Sequence, residues 1–87
     1  MKWALMNDVL HDVRLFLRDR GSLFELASFR DDDSLTDTGM IDSIMLIQLV
    51  DFLEQKYEIE IPLEMVTPEN FDTLDAIGRT VVGLKTG

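Results

Sequence analysis

The sequence predicts a small all-α domain: three main helices and one short helix, with a long loop between the first and the second. Two observations carry that prediction. Apolar residues recur at helical spacing in three separate stretches. The one alternating run, Glu58-Ile59-Glu60-Ile61-Pro62, has no second strand to pair with and reads as an extended connection. At 87 residues the chain is expected to form one domain over residues 1–87, and its 46% hydrophobic content suffices for a small core.

The first helix is expected over residues 4–20. Met6, Leu10, Val13 and Leu17 share one face, while Asp8, Asp12, Arg18 and Asp19 fall away from it or at its edges. Gly21 is a suitable terminator, and Arg18 and Arg20 suit the negative end of the helix dipole. The loop then covers residues 21–42. Within it Ser22-Leu23-Phe24-Glu25 matches a capping box, which points to a short helical piece through Ala27. Phe29 and Leu35 are the apolar residues expected to pin the loop to the core. A connection of this length is often functional.

The second helix, residues 43–57, is the clearest element. Leu46, Leu49, Val50, Leu53 and Tyr57 give it a core face, and Asp42 or Ser43 is a good N-cap. Ile59 and Ile61 are expected to plug the following connection into the core. Thr67-Pro68-Glu69 reads as a cap, a first-position proline and a first-turn acid, which starts a short third helix over residues 67–71. Asp72 or Thr73 caps a fourth helix over residues 73–84, with Leu74, Ile77, Val81 and Leu84 on one face. Gly78 inside it marks a close helix contact, and Lys85-Thr86-Gly87 should fray.

Composition excludes several functions. The chain has 17 acidic and 8 basic residues, a net charge of −9, which repels phosphate backbones and argues against nucleic-acid binding. The same charge attracts basic patches on partner proteins. Asp8 and Asp12 interrupt the only apolar N-terminal stretch, so no signal-peptide core is read there, and no run is long enough to span a membrane. A cytoplasmic monomer is expected. There is no cysteine, hence no disulfide and no thiol nucleophile, and His11 has no partner in sequence from which to build a catalytic set. The run Asp31-Asp32-Asp33 fails as a calcium loop because Leu35 and Thr36 stand where a ligand and a glycine are needed, so it reads as a solvated acidic face. These absences argue against an enzyme.

On the second helix, Ile44 and Ile47 lie with Gln48 and Asp51 on a face roughly opposite Leu46, Leu49 and Leu53. Apolar residues there, with Met45 beside them, point to a partner surface that starts at Ser43.

In chain order, Leu35, Gly39, Asp42-Ser43-Ile44, the Leu46/Leu49/Val50/Leu53 face, Tyr57-Glu58-Ile59-Glu60-Ile61-Pro62 and Phe71-Asp72-Thr73-Leu74 form a set that resembles the acyl carrier protein family. The resemblance spans about residues 5 to 84. It implies a four-helix bundle of acyl-carrier-protein type, with 4′-phosphopantetheine attached to Ser43 and Asp42 as the motif residue beside it. The Ser43 hydroxyl would attack the pyrophosphate of coenzyme A, with base and metal supplied by a separate phosphopantetheinyl transferase. Further partners implied are a loading ligase or acyltransferase and downstream synthase enzymes. The run Gly39-Met40-Ile41-Asp42-Ser43 has one residue more than fatty-acid carriers usually place between glycine and aspartate. Met45, Gln48 and Gln55 also stand where such carriers are commonly acidic. The pattern therefore looks more like a discrete carrier of a specialised pathway, polyketide, nonribosomal peptide or similar, bearing acyl, aminoacyl or peptidyl cargo. Beginning at Met1 with almost no tail, the chain reads as free-standing. The alternative reading is an unmodified helical interaction domain with the same fold, binding one partner through Ile44, Ile47 and Asp51.

Overall fold

A computed structural model describes residues 2–19, 30–37, 39 and 41–86, with the side chains of Lys2 and Trp3 excepted. Its elements are α1 (Lys2–Asp19), α2 (Ser43–Tyr57), a 3₁₀ turn (Leu63–Met65), α3 (Pro68–Phe71) and α4 (Leu74–Thr86). No strand occurs among the described residues. The fold is the small all-helical bundle that the periodicity predicted. The expected capping box at Ser22-Leu23-Phe24-Glu25, the expected terminator Gly21, Arg20 and Phe29, expected to pin the loop, lie outside the described residues.

The core draws on all four α-helices. Val9, Val13, Phe16 and Leu17 enter it from α1, Leu49, Leu53 and Tyr57 from α2, Phe71 from α3, and Leu74, Ile77 and Val81 from α4. Leu35 and Ile61 plug the two connections into it, as expected, and Ile41 does so as well. Packing is most extensive between α1 and α4, and α4 also meets α2 and α3. Phe16 and Phe52 join α1 to α2 through tilted rings 5.1 Å apart.

Several local expectations need correction. The buried stripe of α1 is Val9, Val13, Phe16 and Leu17, and Met6 and Leu10 are only half-buried on its flank. The reason is α4. Gly78 leaves no side chain there, so the ends of Met6 and Leu10 reach across it; a Cβ on Gly78 would stand 2.6 Å from Met6 Sδ and 3.5 Å from Leu10 Cδ2. Asp12, expected off the core face or at its edge, is half-buried and accepts the Tyr57 hydroxyl at 2.5 Å, because Tyr57 is buried and its phenol needs a partner. Helix α4 continues through Lys85 to Thr86 rather than fraying. Lys85 Nζ donates to the Tyr57 carbonyl at 2.8 Å, which ties that last turn to the end of α2. Of the two candidate caps for α4 it is Thr73 whose hydroxyl accepts the Ala76 N–H, at 3.0 Å. Asp72 is turned to the loop instead. The 3₁₀ turn after Pro62 is not among the elements expected from the sequence.

Helix α2 ends at Glu58, which takes the left-handed conformation (φ 55°, ψ 50°). The chain is thereby reversed so that the Ile59 N–H returns to the Glu54 carbonyl at 3.1 Å, and the Ile61 N–H meets Glu54 Oε2 at 2.8 Å. One glutamate thus closes the helix and holds the extended connection that follows.

Candidate functional site

Ser43 is the first residue of α2 and is exposed. The helix starts there because Asp42 is extended (φ −116°, ψ −176°) and its Oδ1 accepts the Met45 N–H at 2.8 Å. The Asp42 carbonyl accepts the first intrahelical bond, from Leu46 N–H at 2.8 Å. Asp42 is therefore the N-cap, and its charge also suits the positive end of the helix dipole. Ser43 consequently stands in the first turn of the helix, whose N-terminal N–H groups favour an anion.

The loop wall next to Ser43 is built from far away in sequence. Leu35 is fully buried, its N–H donates to the Asp72 carbonyl at 2.6 Å, and its carbonyl accepts the Ile41 N–H at 3.2 Å. The Asp72 carboxylate takes the Ser34 hydroxyl on Oδ2 at 2.7 Å, and the Thr36 hydroxyl and N–H on Oδ1 at 2.7 and 3.1 Å. The Thr36 hydroxyl above all holds this carboxyl below the ordinary aspartate range; burial opposes it, and the bonds from Ser34 and the Thr36 N–H add to it. Farther along, Asp31 pairs with Arg14 at 2.8 Å and its carbonyl accepts the Asp75 N–H at 2.9 Å. The acidic run is thus partly a set of ties to α1 and α4 rather than only a solvated face. Sequence reading missed Asp72 as part of the site; its signal was absorbed into the choice of a helix cap.

Between this wall, α2 and α3 lies a mainly apolar cavity of about 280 Å³. Ile41, Leu46, Val66 and Phe71 give it apolar walls, and Ser43, Asp42, Thr36, Thr67, Pro68 and Asp72 also line it. Ser43 therefore combines an exposed hydroxyl, a helix N-terminus and an adjacent apolar recess. A phosphodiester would be favoured at the start of α2, and the recess would offer apolar contacts beside it.

The expected partner face is divided. Ile44 and Ile47 are 70% and 68% exposed, and Gln48 and Asp51 are exposed beside them. Met45 is half-buried and packs on the core, since it stands one turn before Leu49 on the inward side of α2. Asp51 accepts the Gln55 amide at 2.9 Å, an ordinary pair one turn apart on the helix surface. Leu63, 86% exposed on the 3₁₀ turn, is a further apolar residue in solvent that sequence reading did not single out. His11 is exposed on α1.

The family model described as phosphopantetheine attachment site matches residues 22–81, which takes in the loop, α2, α3 and most of α4 and leaves out α1. A comparison with curated proteins finds no match. The chain belongs to the phosphopantetheine attachment site family: it is a carrier of acyl-carrier-protein type, and 4′-phosphopantetheine is its covalent cofactor.

Proposed function

We propose that Ser43 is the residue to which the cofactor is joined, and that this carrier serves a specialised pathway of polyketide, nonribosomal peptide or similar type. The observation that carries the reading is the setting of Ser43: an exposed hydroxyl on the first residue of a capped helix, at the edge of an apolar cavity. In the attachment reaction Ser43 Oγ forms a bond to the β-phosphorus of coenzyme A. The bond from that phosphorus to the adenosine bisphosphate half breaks, and the hydroxyl proton passes to a base on the transferase. Asp42 holds the helix start in place, and the N-terminal N–H groups of α2 favour the phosphodiester that results. When bound, the cofactor supplies a terminal thiol on which acyl, aminoacyl or peptidyl cargo is held as a thioester.

On this reading the chain is not itself a catalyst. Its partners are the phosphopantetheinyl transferase, a loading ligase or acyltransferase, and the synthase enzymes that take the cargo on. Ile44 and Ile47 offer these partners apolar contacts beside the attachment point, and Gln48 and Asp51 frame them. The net charge of −9 favours encounters with basic surfaces. A cytoplasmic monomer suits a protein that must be visited in turn by several enzymes, and no described helix is long and apolar enough to cross a membrane.

Intact-mass measurement after incubation with coenzyme A, magnesium and a broad-specificity phosphopantetheinyl transferase tests the assignment. The wild-type chain should gain one phosphopantetheine and Ser43→Ala none. If Ser43→Ala gains it as well, the arm is attached elsewhere. If the wild type gains nothing while a control carrier is modified, the second helix is better read as an unmodified binding face.

A further inference from the structure

We propose that Asp72 is a positioning residue for the modification at Ser43: its carboxylate fixes the segment Ser34–Thr36, and through it the backbone that leads into α2. The proposal rests on the reading of Ser43 as the attachment site. Three donors from one short segment converge on this carboxylate, the Ser34 hydroxyl at 2.7 Å and the Thr36 hydroxyl and N–H at 2.7 and 3.1 Å. A fourth bond runs between the backbones, from Leu35 N–H to the Asp72 carbonyl at 2.6 Å. The anchor itself is firm, because Asp72 follows Phe71, which is 2% exposed, and its N–H caps α3 on the Pro68 carbonyl at 2.9 Å.

The segment held in this way leads to the reacting residue. The Leu35 carbonyl accepts the Ile41 N–H at 3.2 Å, and Ile41 is buried immediately before the cap Asp42. Thr36 and Asp72 line the same cavity as Ile41, Asp42 and Ser43. A tie elsewhere along the loop would restrain the chain without shaping this cavity; the Asp72 tie is part of its wall. Hydrogen bonds to an ionised acceptor are the stronger kind, so a single side chain can hold the two polar residues that flank the buried Leu35.

The transferase must align Ser43 Oγ with the pyrophosphate of coenzyme A while it grips the surface around it. With the wall fixed beforehand, binding does not have to order it. Without Asp72 the ordering cost falls on complex formation and appears in KM. The base and metal belong to the transferase, and the Ser43 nucleophile itself is not altered, so kcat should hold.

The experiment measures kcat and KM for phosphopantetheine transfer to the purified chain, well below its melting temperature, for wild type, Asp72→Ala and Asp72→Asn. Asparagine keeps an oxygen for Thr36 and an amide that can donate to Ser34 Oγ, so it should preserve the tie where alanine cannot. Asp72→Ala should raise KM about tenfold with kcat within about threefold of wild type, and Asp72→Asn should restore KM to within about threefold. If Asp72→Ala does not fold, the Ser34→Ala/Thr36→Val double variant, which removes both hydroxyl donors and leaves the core intact, carries the same expectation for KM. An unchanged KM in the folded alanine or double variant overturns the proposal, as does an asparagine variant as impaired as alanine. Ser43→Ala, run alongside, separates the two readings. Modification that persists in Ser43→Ala rejects the attachment site and the proposal with it. Modification that is lost there, with KM insensitive at Asp72, rejects only the role of Asp72.

Discussion

Removing one oxygen, by Tyr57→Phe, should destabilise this fold measurably, because Tyr57 is where α1, α2 and α4 are tied together. The ring is 8% exposed and remains in place as phenylalanine, so the apolar burial term is unchanged. What disappears is the hydrogen bond to Asp12 Oδ2 at 2.5 Å. Bonds to charged groups contribute about 1.5–3 kcal/mol each. The Asp12 side chain is 16% exposed and keeps Lys56 Nζ at 3.5 Å, so its carboxylate is only partly orphaned, and the lower end applies: about 1.5–2 kcal/mol. Urea unfolding of wild type, Tyr57→Phe, Asp12→Ala and the double variant gives the coupling directly, expected at about 1–2 kcal/mol. The pH dependence supplies a second check. Burial first, then the bond to Asp12 and the negative charges of Asp12 and Asp8, push the Tyr57 phenol well above its ordinary value. The unfolded chain therefore loses this proton first, near pH ~10, and stability falls as pH rises beyond that point. The advantage of wild type over Tyr57→Phe should accordingly be full below pH ~10 and shrink above it. A Tyr57→Phe cost under about 0.5 kcal/mol, or a coupling near zero, would refute the argument.

Three further outcomes follow from local geometry. Asp42→Ala removes the cap on Met45 N–H and should cost about 1 kcal/mol in urea unfolding, whereas Asp42→Asn, which keeps a capping oxygen, should cost only a few tenths. Glu58→Gly relieves a left-handed residue (φ 55°) and, net of glycine's chain entropy, should stabilise by about 0.5 kcal/mol, read as a rise in melting temperature of about 2–4 °C. Gly78→Ala gains about 1 kcal/mol of helix propensity but drives a methyl group to 2.6 Å from Met6 Sδ, so it should be near neutral in wild type and stabilising by about 1 kcal/mol in a Met6→Ala background, compared by thermal unfolding.

The sequence signals that proved reliable were the short-range ones. Asp42 before an amphipathic run, proline after Thr67 and glycine facing a neighbouring helix each act within a turn or a single contact, and α2, α3 and the close approach at Gly78 are where they point. The α1 stripe was less determinate. Met6/Leu10/Val13/Leu17 and Val9/Val13/Phe16/Leu17 both satisfy helical periodicity, and only the partner decides between them. The gap over Gly78 lets Met6 and Leu10 lie at the edge while Val9 and Phe16 fill the centre. Glu58 gave no warning of a left-handed cap, since glutamate has no preference for that conformation and is held there by the returning Ile59 and Ile61 N–H groups.

The site shows the same division with more consequence. That Ser43 begins a helix follows from residues within three positions of it. The wall beside it depends on bonds that span 36 and 38 residues, between Thr36 or Ser34 and Asp72, and no local pattern announces them. Phe71-Asp72-Thr73-Leu74 reads naturally as the entry to a helix, and Thr73 alone suffices to cap it. The aspartate is thus released for a longer-range task, and its carboxylate goes to the loop. A side chain with a good local use in sequence can therefore be spent elsewhere, and the way to find it is to ask which polar groups of an irregular loop need partners. Ser34, Leu35 and Thr36 have no strand or helix to satisfy them, and much of their hydrogen bonding goes to Asp72. A loop that must keep a fixed shape next to a reacting hydroxyl needs such an acceptor from a rigid element, and the junction of α3 and α4 is the rigid element within reach.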